Sequence, residues 1–236
     1  MGKFVSADFH GRLDAMLNAL AKTSFNKKKD KFIFVGDIND GGPDTKGCID
    51  ELLTFEDLTW VRGNHDDWFL RYLLGDHPGD LWLKQGGKAT LRSYGYQFFM
   101  DPDTSKVPKE HVELLKNSVI WYEDEDAIYV HGGIDLGGPE STSLQDLMWD
   151  RDLINIEYKR WKYFQPALWN KKLLVVGHTC TQWLGAGNKP IILPHLIDLD
   201  TGCGHGSKAT IMELPSREYW QSDLPEINIL RNEDKK

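Results

Sequence analysis

Phe32-Ile33-Phe34-Val35-Gly36-Asp37-Ile38-Asn39-Asp40-Gly41-Gly42 decides how the rest of the chain is read. Four apolar residues break abruptly into glycine, acid and amide. A short, unbroken apolar run suits a strand covered on both faces. Asn39-Asp40-Gly41-Gly42 suits a tight turn. The same pattern recurs outward in both directions. Phe4-Val5-Ser6-Ala7 runs into Asp8 and His10, and Leu58 to Val61 runs into Asn64 and His65. Between these runs lie helical spacings: Leu13, Met16, Leu17 and Leu20; Cys48, Ile49, Leu52 and Leu53; Trp68, Phe69, Tyr72 and Leu73. Lys27 to Lys31 has no apolar face and reads as a solvated turn. This βαβαβα start predicts parallel strands with helices packed outside them. Further strands are expected at Ala127 to Val130, Leu173 to Val176, Leu196 to Leu199 and Ala209 to Leu214.

The 236 residues fit one domain, and no Ser/Gly linker divides them. Residues 1–236 are therefore read as a single domain, with an irregular helical cap region at about 75–116. A polar tail begins near Ser222, and Arg231 to Lys236 are expected to fray. Hydrophobic residues at 40% and charged residues at 27% exclude a disordered chain, a collagen and a coiled coil. No apolar run approaches the roughly 18 residues of a membrane span, and the N-terminus lacks the apolar core of a signal peptide. Cys48, Cys180 and Cys203 are odd in number and widely spaced, which points to no disulfide framework and to a reducing cytoplasm. With 28 Lys+Arg against 36 Asp+Glu, the formal charge of −8 argues against a nucleic-acid groove.

The chemistry-bearing residues share one position, immediately after a predicted strand. Asp8 and His10, Asp37 and Asp40, Asn64 and His65, His131, and His178 follow five different strands. In open α/β sheets, loops at the carboxyl ends of strands converge where ligands bind. Five loops would thus deliver oxygen and imidazole donors to one rim, a set suited to manganese, iron or zinc. Taken singly, each residue is better explained as a turn former or a structural histidine. Together they are not, because four of the eight histidines occupy strand exits. His77, His111, His195 and His205 look like background. Gly202-Cys203-Gly204-His205-Gly206-Ser207-Lys208 lacks the spacing of a phosphate loop and precedes a strand, not a helix. The nine tryptophans are scattered without basic clusters, and core packing accounts for them.

Asp8-Phe9-His10-Gly11, Gly36-Asp37-Ile38-Asn39-Asp40, Arg62-Gly63-Asn64-His65-Asp66, His131-Gly132-Gly133 and Gly177-His178-Thr179 occur in the order found in calcineurin-like metallophosphoesterases. The chain resembles that family from about Phe4 to Leu214, and in particular the small bacteriophage lambda-type serine/threonine protein phosphatases, with bacterial diadenosine tetraphosphatases nearby. Trp82-Leu83-Lys84-Gln85-Gly86-Gly87, Met148-Trp149-Asp150-Arg151 and Asp200-Thr201-Gly202 agree with it. The resemblance implies a four-layer α/β/β/α sandwich of two mixed β-sheets. It implies two divalent metal ions, Mn2+ foremost, with Fe, Zn, Ni or Mg as alternatives. Asp8, His10 and Asp37 would hold the first, and Asp37, Asn64, His131 and His178 the second. A metal-bridging hydroxide would be the nucleophile, His65 the general acid and Asp40 its orienting partner. Arg62 and Arg151 would hold the phosphoryl oxygens. The implied activity is hydrolysis of phosphate monoesters, with phosphoprotein Ser/Thr or Tyr as substrate, in a bacterial or phage cytoplasm. A diadenosine polyphosphate, a cyclic nucleotide or an RNA end is the alternative substrate, so nucleic acid enters only in that role and no membrane partner is expected. A non-catalytic metal-binding scaffold is the rival from another class, and the complete set of ligands speaks against it. Oligomeric state is left open.

Two departures matter. The family's second motif continues Asp-Arg-Gly, whereas this chain has Gly41 after Asp40, so a phosphate-contacting arginine is missing. Many diesterases carry a second histidine two residues after the one in Gly177-His178. Cys180 stands there instead and is expected to be a buried, inert thiol.

Overall fold

The computed structural model describes residues 1–97 and 104–224. The stretch expected to fray, Arg231 to Lys236, lies outside them. Strands β1 (Lys3–Ser6), β2 (Lys31–Phe34) and β3 (Asp57–Trp60) are parallel, with helices α1 (Leu13–Leu20) and α2 (Thr45–Leu52) connecting them. Antiparallel β9 (Thr210–Leu214) and β10 (Tyr219–Gln221) extend this sheet in the order β10-β9-β1-β2-β3. The second sheet runs β4-β5-β6-β8-β7. In it β5 (Ala127–Val130), β6 (Leu173–Val176) and β8 (Leu196–Asp198) are parallel, and β4 (Trp121–Glu123) and β7 (Ile191–Ile192) are antiparallel edges.

The period-two alternation of the strands decides which core each side chain enters. Phe4, Phe32 and Phe34 point to the helix side, where they meet Met16, Ile49 and Phe69. Val5, Ile33 and Val35 point the other way and meet Tyr129, Val175 and Ile197 of the second sheet. Ile128, Val130, Leu174 and Val176 face outward onto Leu147 and Ile154. Those last two belong to helices α7 (Leu144–Trp149) and α8 (Asp152–Lys162). The result is helix, sheet, sheet, helix: two mixed sheets face to face, as the family resemblance implies. Each central strand is buried on both faces, so it reads as an unbroken apolar run.

Of the expected cap, the described residues 75–97 and 104–116 hold the short α4 (Asp80–Trp82), a wide turn at Leu83–Gly87, α5 (Lys88–Ser93) and α6 (Lys109–Lys116). Trp82, Leu91, Tyr94 and Leu115 from this region are buried in the core that contains Phe4 and Phe34. The region therefore forms part of the helical layer and reaches the edge of the site described next. Among the described residues, no helix is long and apolar enough to cross a membrane.

Candidate active site

The strand-exit loops meet at one rim, and the backbone there is strained. Asp8, His10, Asp37, Asp40 and His178 have φ of 56°, 48°, 60°, 72° and 66°. Among the described non-glycine residues only Phe164 and Arg217 share that left-handed conformation. It costs on the order of 1–3 kcal/mol per residue and is held only where surroundings over-determine it. At Asp37 that determination comes from Asp66. It is fully buried in α3 (Asn64–Leu73), and its carboxylate accepts from the amides of Asp37, Ile38 and Gly63 and from Trp60 Nε1 at 2.9–3.0 Å. Burial, helped by nearby Asp37, pushes Asp66 up to about 6 against those hydrogen bonds. Gly63 is required by the same contact, since a Cβ there would collide with the Asp37 carboxylate.

Asp37 lies between two groups of donors. Its Oδ2 is 3.8 Å from His10 Nε2 and 3.1 Å from His131 Nε2. Asn64 Oδ1 is 3.2 Å from His131 Nε2, and Asp8 Oδ1 is 3.9 Å from His10 Nε2. Donor atoms around an ion with bonds of about 2.1 Å lie roughly 3–3.5 Å apart, close to these separations.

Backbone carbonyls fix which nitrogen of each ring bears the proton. His10 Nδ1 donates to the carbonyls of Asn39 and Asp40 at 3.0 and 3.1 Å, and His131 Nδ1 donates to Val35 O at 2.8 Å. His178 Nε2 donates to Trp149 O at 3.2 Å. A carbonyl can only accept, so each ring keeps the lone pair of its other nitrogen for a metal. Burial also holds His178 down to about 2, assisted by His131 and Arg151. Burial, with Asp200 and Asp37 nearby, lifts Asp8 well above the usual carboxylate range. Buried carboxylates crowded beside imidazoles are the donor set that divalent cations require, and the residues fit two of them. His10, Asp37 and His65 form one compact donor group, and Asp37, His131 and His178 the other.

His65 is placed differently. Its Nδ1 bonds Asp40 Oδ2 at 2.8 Å, which leaves Nε2 for the adjoining cavity. Burial works against its imidazolium, but the carboxylates of Asp37 and Asp40 prevail and raise it to about 9. Asp40 is itself anchored: Trp82 Nε1 donates to Oδ2 at 2.8 Å and Thr90 Oγ1 to Oδ1 at 2.6 Å. Sequence reading quoted Trp82 only as a family motif and missed Thr90. Neither follows a strand, and both look like ordinary helix residues. Trp82→Phe should retain both metals yet slow hydrolysis of esters with basic leaving groups about 10- to 100-fold. That is the scale of one charge-assisted hydrogen bond. An equal loss on all esters would make Trp82 merely a packing residue.

The cavity beside these groups encloses about 290 Å³ and is lined by His10, Asp37, His65 and His178 together with Arg151. Among the described residues Arg151 has no ion pair with Asp150 or Asp152. The Asp150 carboxylate instead accepts the Asp152 and Leu153 amides at the start of α8. Arg62 is not among the cavity-lining residues. Its guanidinium donates to Ser118 Oγ and O at 2.8 and 3.1 Å and lies 3.6 Å from Asp67. His205, read from sequence as background, and Gly204, in the stretch rejected as a phosphate loop, do line the cavity. The turn carrying them leads into β9 and places Gly204 against the His10 ring. Cys180 is buried, and burial raises its thiol to about 12, as expected of an inert cysteine.

Comparison with known proteins points the same way. Over 91% of this chain and 89% of its own length, the bis(5'-nucleosyl)-tetraphosphatase PrpE (asymmetrical) of Oceanobacillus iheyensis is 24% identical. Serine/threonine-protein phosphatase 1 of Salmonella typhimurium is 36% identical over 36% of this chain and 38% of that one. The solved metallophosphoesterase from Sphaerobacter thermophilus superposes with a TM-score of 0.57 at 17% identity, covering 94% of this chain and 87% of that chain. Residues 4–213 match the family model described as calcineurin-like phosphoesterase, a span containing every strand-exit residue discussed above. The chain belongs to that family of metal-dependent phosphoesterases and is a metal-dependent phosphatase.

Proposed function

We propose that the protein hydrolyses phosphate monoesters with two divalent cations, Mn2+ foremost, held by Asp8, His10, Asp37, Asn64, His131 and His178. Bound at these residues, the cations would acidify a water and offset phosphoryl charge. The observation that carries the reading is the Asp40–His65 pair at 2.8 Å, opening onto the same cavity as the donor groups and Arg151. Asp40 fixes the His65 tautomer, and Nε2 delivers a proton to the departing oxygen. Arg151 provides a planar fork for phosphoryl oxygens. Arg62 has the same role only if it leaves Ser118. Hydrolysis of p-nitrophenyl phosphate should depend on added Mn2+, vanish with a chelator and return on reloading. A metal-replete, folded chain without turnover on any phosphate ester would overturn the proposal.

Gly41 sharpens the substrate question. It lines the cavity at φ +96°, and nothing lies within 4 Å of where a Cβ would sit. The space is open, but the backbone suits only glycine. Gly41→Ala should therefore cost about 1–2 kcal/mol, a melting temperature lower by roughly 2–8 °C. Gly41→Arg carries the same strain, so the alanine variant is its reference. Against that reference arginine should lower the monoester KM by about 5- to 150-fold, the scale of one charge-assisted contact. Equal KM values would show that position 41 does not reach the phosphate.

A further inference from the structure

We infer that Trp183 is a stacking platform at the mouth of the site, selecting phosphates carried by a nucleoside. The inference rests on the phosphatase reading above and names its substrate class.

Trp60, Trp68, Trp82 and Trp169 are buried, as core packing predicts. Trp183 is 58% exposed and lines the cavity that holds His10, Asp37 and Arg151. In the same turn the partly buried Leu184 and Ala186 pack on the core of the second sheet, whereas the indole does not. An indole left in water beside a catalytic cavity contributes little to folding and offers a broad π face to whatever enters.

The mount is rigid. Thr181 N bonds Asp200 O at 2.8 Å, Trp183 N bonds Cys180 O at 2.8 Å and Ala186 N bonds Thr181 O at 3.0 Å. Trp183 lies five positions after His178 on this tied turn, so its ring is positioned relative to the phosphate-binding end. Two cavity-lining neighbours complete the wall. Arg151 Cζ is 5.8 Å from the Trp183 ring centroid, and the His205 ring is 5.1 Å away at 50°. Arg151 thus connects two recognition elements: its guanidinium lies over the indole, and although Nη2 donates to His178 O at 3.4 Å, its other N–H groups are left for phosphoryl oxygens.

A nucleoside phosphate has the matching pair of features, a flat heterocycle separated from a phosphate by one sugar. A phosphopeptide offers the phosphate but needs no π platform. Base–aromatic stacking strengthens binding by about 5- to 150-fold.

Adenosine 5'-monophosphate and ribose 5-phosphate share the sugar and the primary 5'-phosphate ester, so the same type of oxygen departs, and they differ in the base. On the Mn2+-loaded chain the first should be hydrolysed with a kcat/KM about 5- to 150-fold higher. Trp183→Ala should bring that ratio close to one, and Trp183→Phe should keep most of it. Any disturbance of Arg151 or of folding affects both substrates and cancels in the ratio. A second readout needs no turnover: adenosine 5'-monophosphate should quench indole emission of the wild-type chain more than that of Trp183→Phe. A wild-type ratio near one, a ratio unchanged in Trp183→Ala, or quenching equal in both chains would overturn the inference. So would turnover of a phosphopeptide with neither of the two small esters hydrolysed, a result that leaves the phosphatase reading intact. Inactivity on the phosphopeptide and on p-nitrophenyl phosphate as well would instead remove the phosphatase reading beneath it.

Discussion

Asp37→Asn should leave the chain folded, bring its metal content below two ions and cut hydrolysis by at least about 10³-fold. The variant keeps the size and shape of the side chain, so packing around Gly63 and Asp66 is little changed. What it loses is charge. Asp37 Oδ2 lies 3.8 Å from His10 Nε2 and 3.1 Å from His131 Nε2, so in the proposed site it would be the ligand common to both ions. Two cations about 3.5–4 Å apart repel each other, and a shared anion is what makes the pair tolerable. An amide offers one neutral oxygen and two N–H groups, which face the lone pairs of His10 and His131. Losing several kcal/mol of charge stabilisation corresponds to the rate loss stated. Metal content by elemental analysis and the melting shift on adding Mn2+ check the cause independently of turnover. A ligand at about 100 times its Kd stabilises the native state by roughly 2.7 kcal/mol, so the wild type should gain about 5–10 °C. The variant should gain much less. Two ions per chain with wild-type turnover would show that the ions do not share Asp37.

The central strands and most of the rim were legible in the sequence for one reason: both are local. Phe32 to Val35 is an apolar run because both faces of its strand are covered, and its exit residues follow without a gap. The partition into two sheets was not legible from the runs themselves. Strands buried on both sides carry no polar alternation to show which face meets a helix and which meets the other sheet. The family resemblance supplied that expectation. The edge strands β4, β7 and β10 escaped because they are only two or three residues long and only partly buried. The support of the site escaped for a different reason. Trp82 and Thr90 reach Asp40 across 42 and 50 residues of chain. Nothing in their local sequence separates them from core and helix positions. Trp183 reads as core packing because the tryptophans are scattered without basic clusters, and His205 as background because it follows no strand directly; only the folded chain brings the two together beside Arg151.

His65→Asn should slow hydrolysis of alkyl phosphates by about 10²- to 10⁴-fold, the usual contribution of a positioned general acid. Aryl phosphates with acidic leaving groups should suffer much less, because their oxygen departs with little need of a proton. The geometry poses a rival that this comparison resolves. His65 belongs to the same compact donor group as His10 and Asp37, so its ring could serve as a metal ligand. A ligand role predicts lost metal and equal damage to both ester types. The acid role predicts two retained ions and a steeper dependence of rate on leaving-group basicity. Asp40 supplies a further check. Its carboxylate bonds His65 Nδ1 and is itself fixed by Trp82 and Thr90, so its effect on chemistry passes through the His65 ring. Asp40→Asn should therefore imitate the leaving-group dependence of His65→Asn in weaker form. Residues acting as a unit are not additive, so the double variant should be no slower than His65→Asn alone. A double variant slower by the product of the two single losses would give Asp40 a separate role and break the proposed dyad.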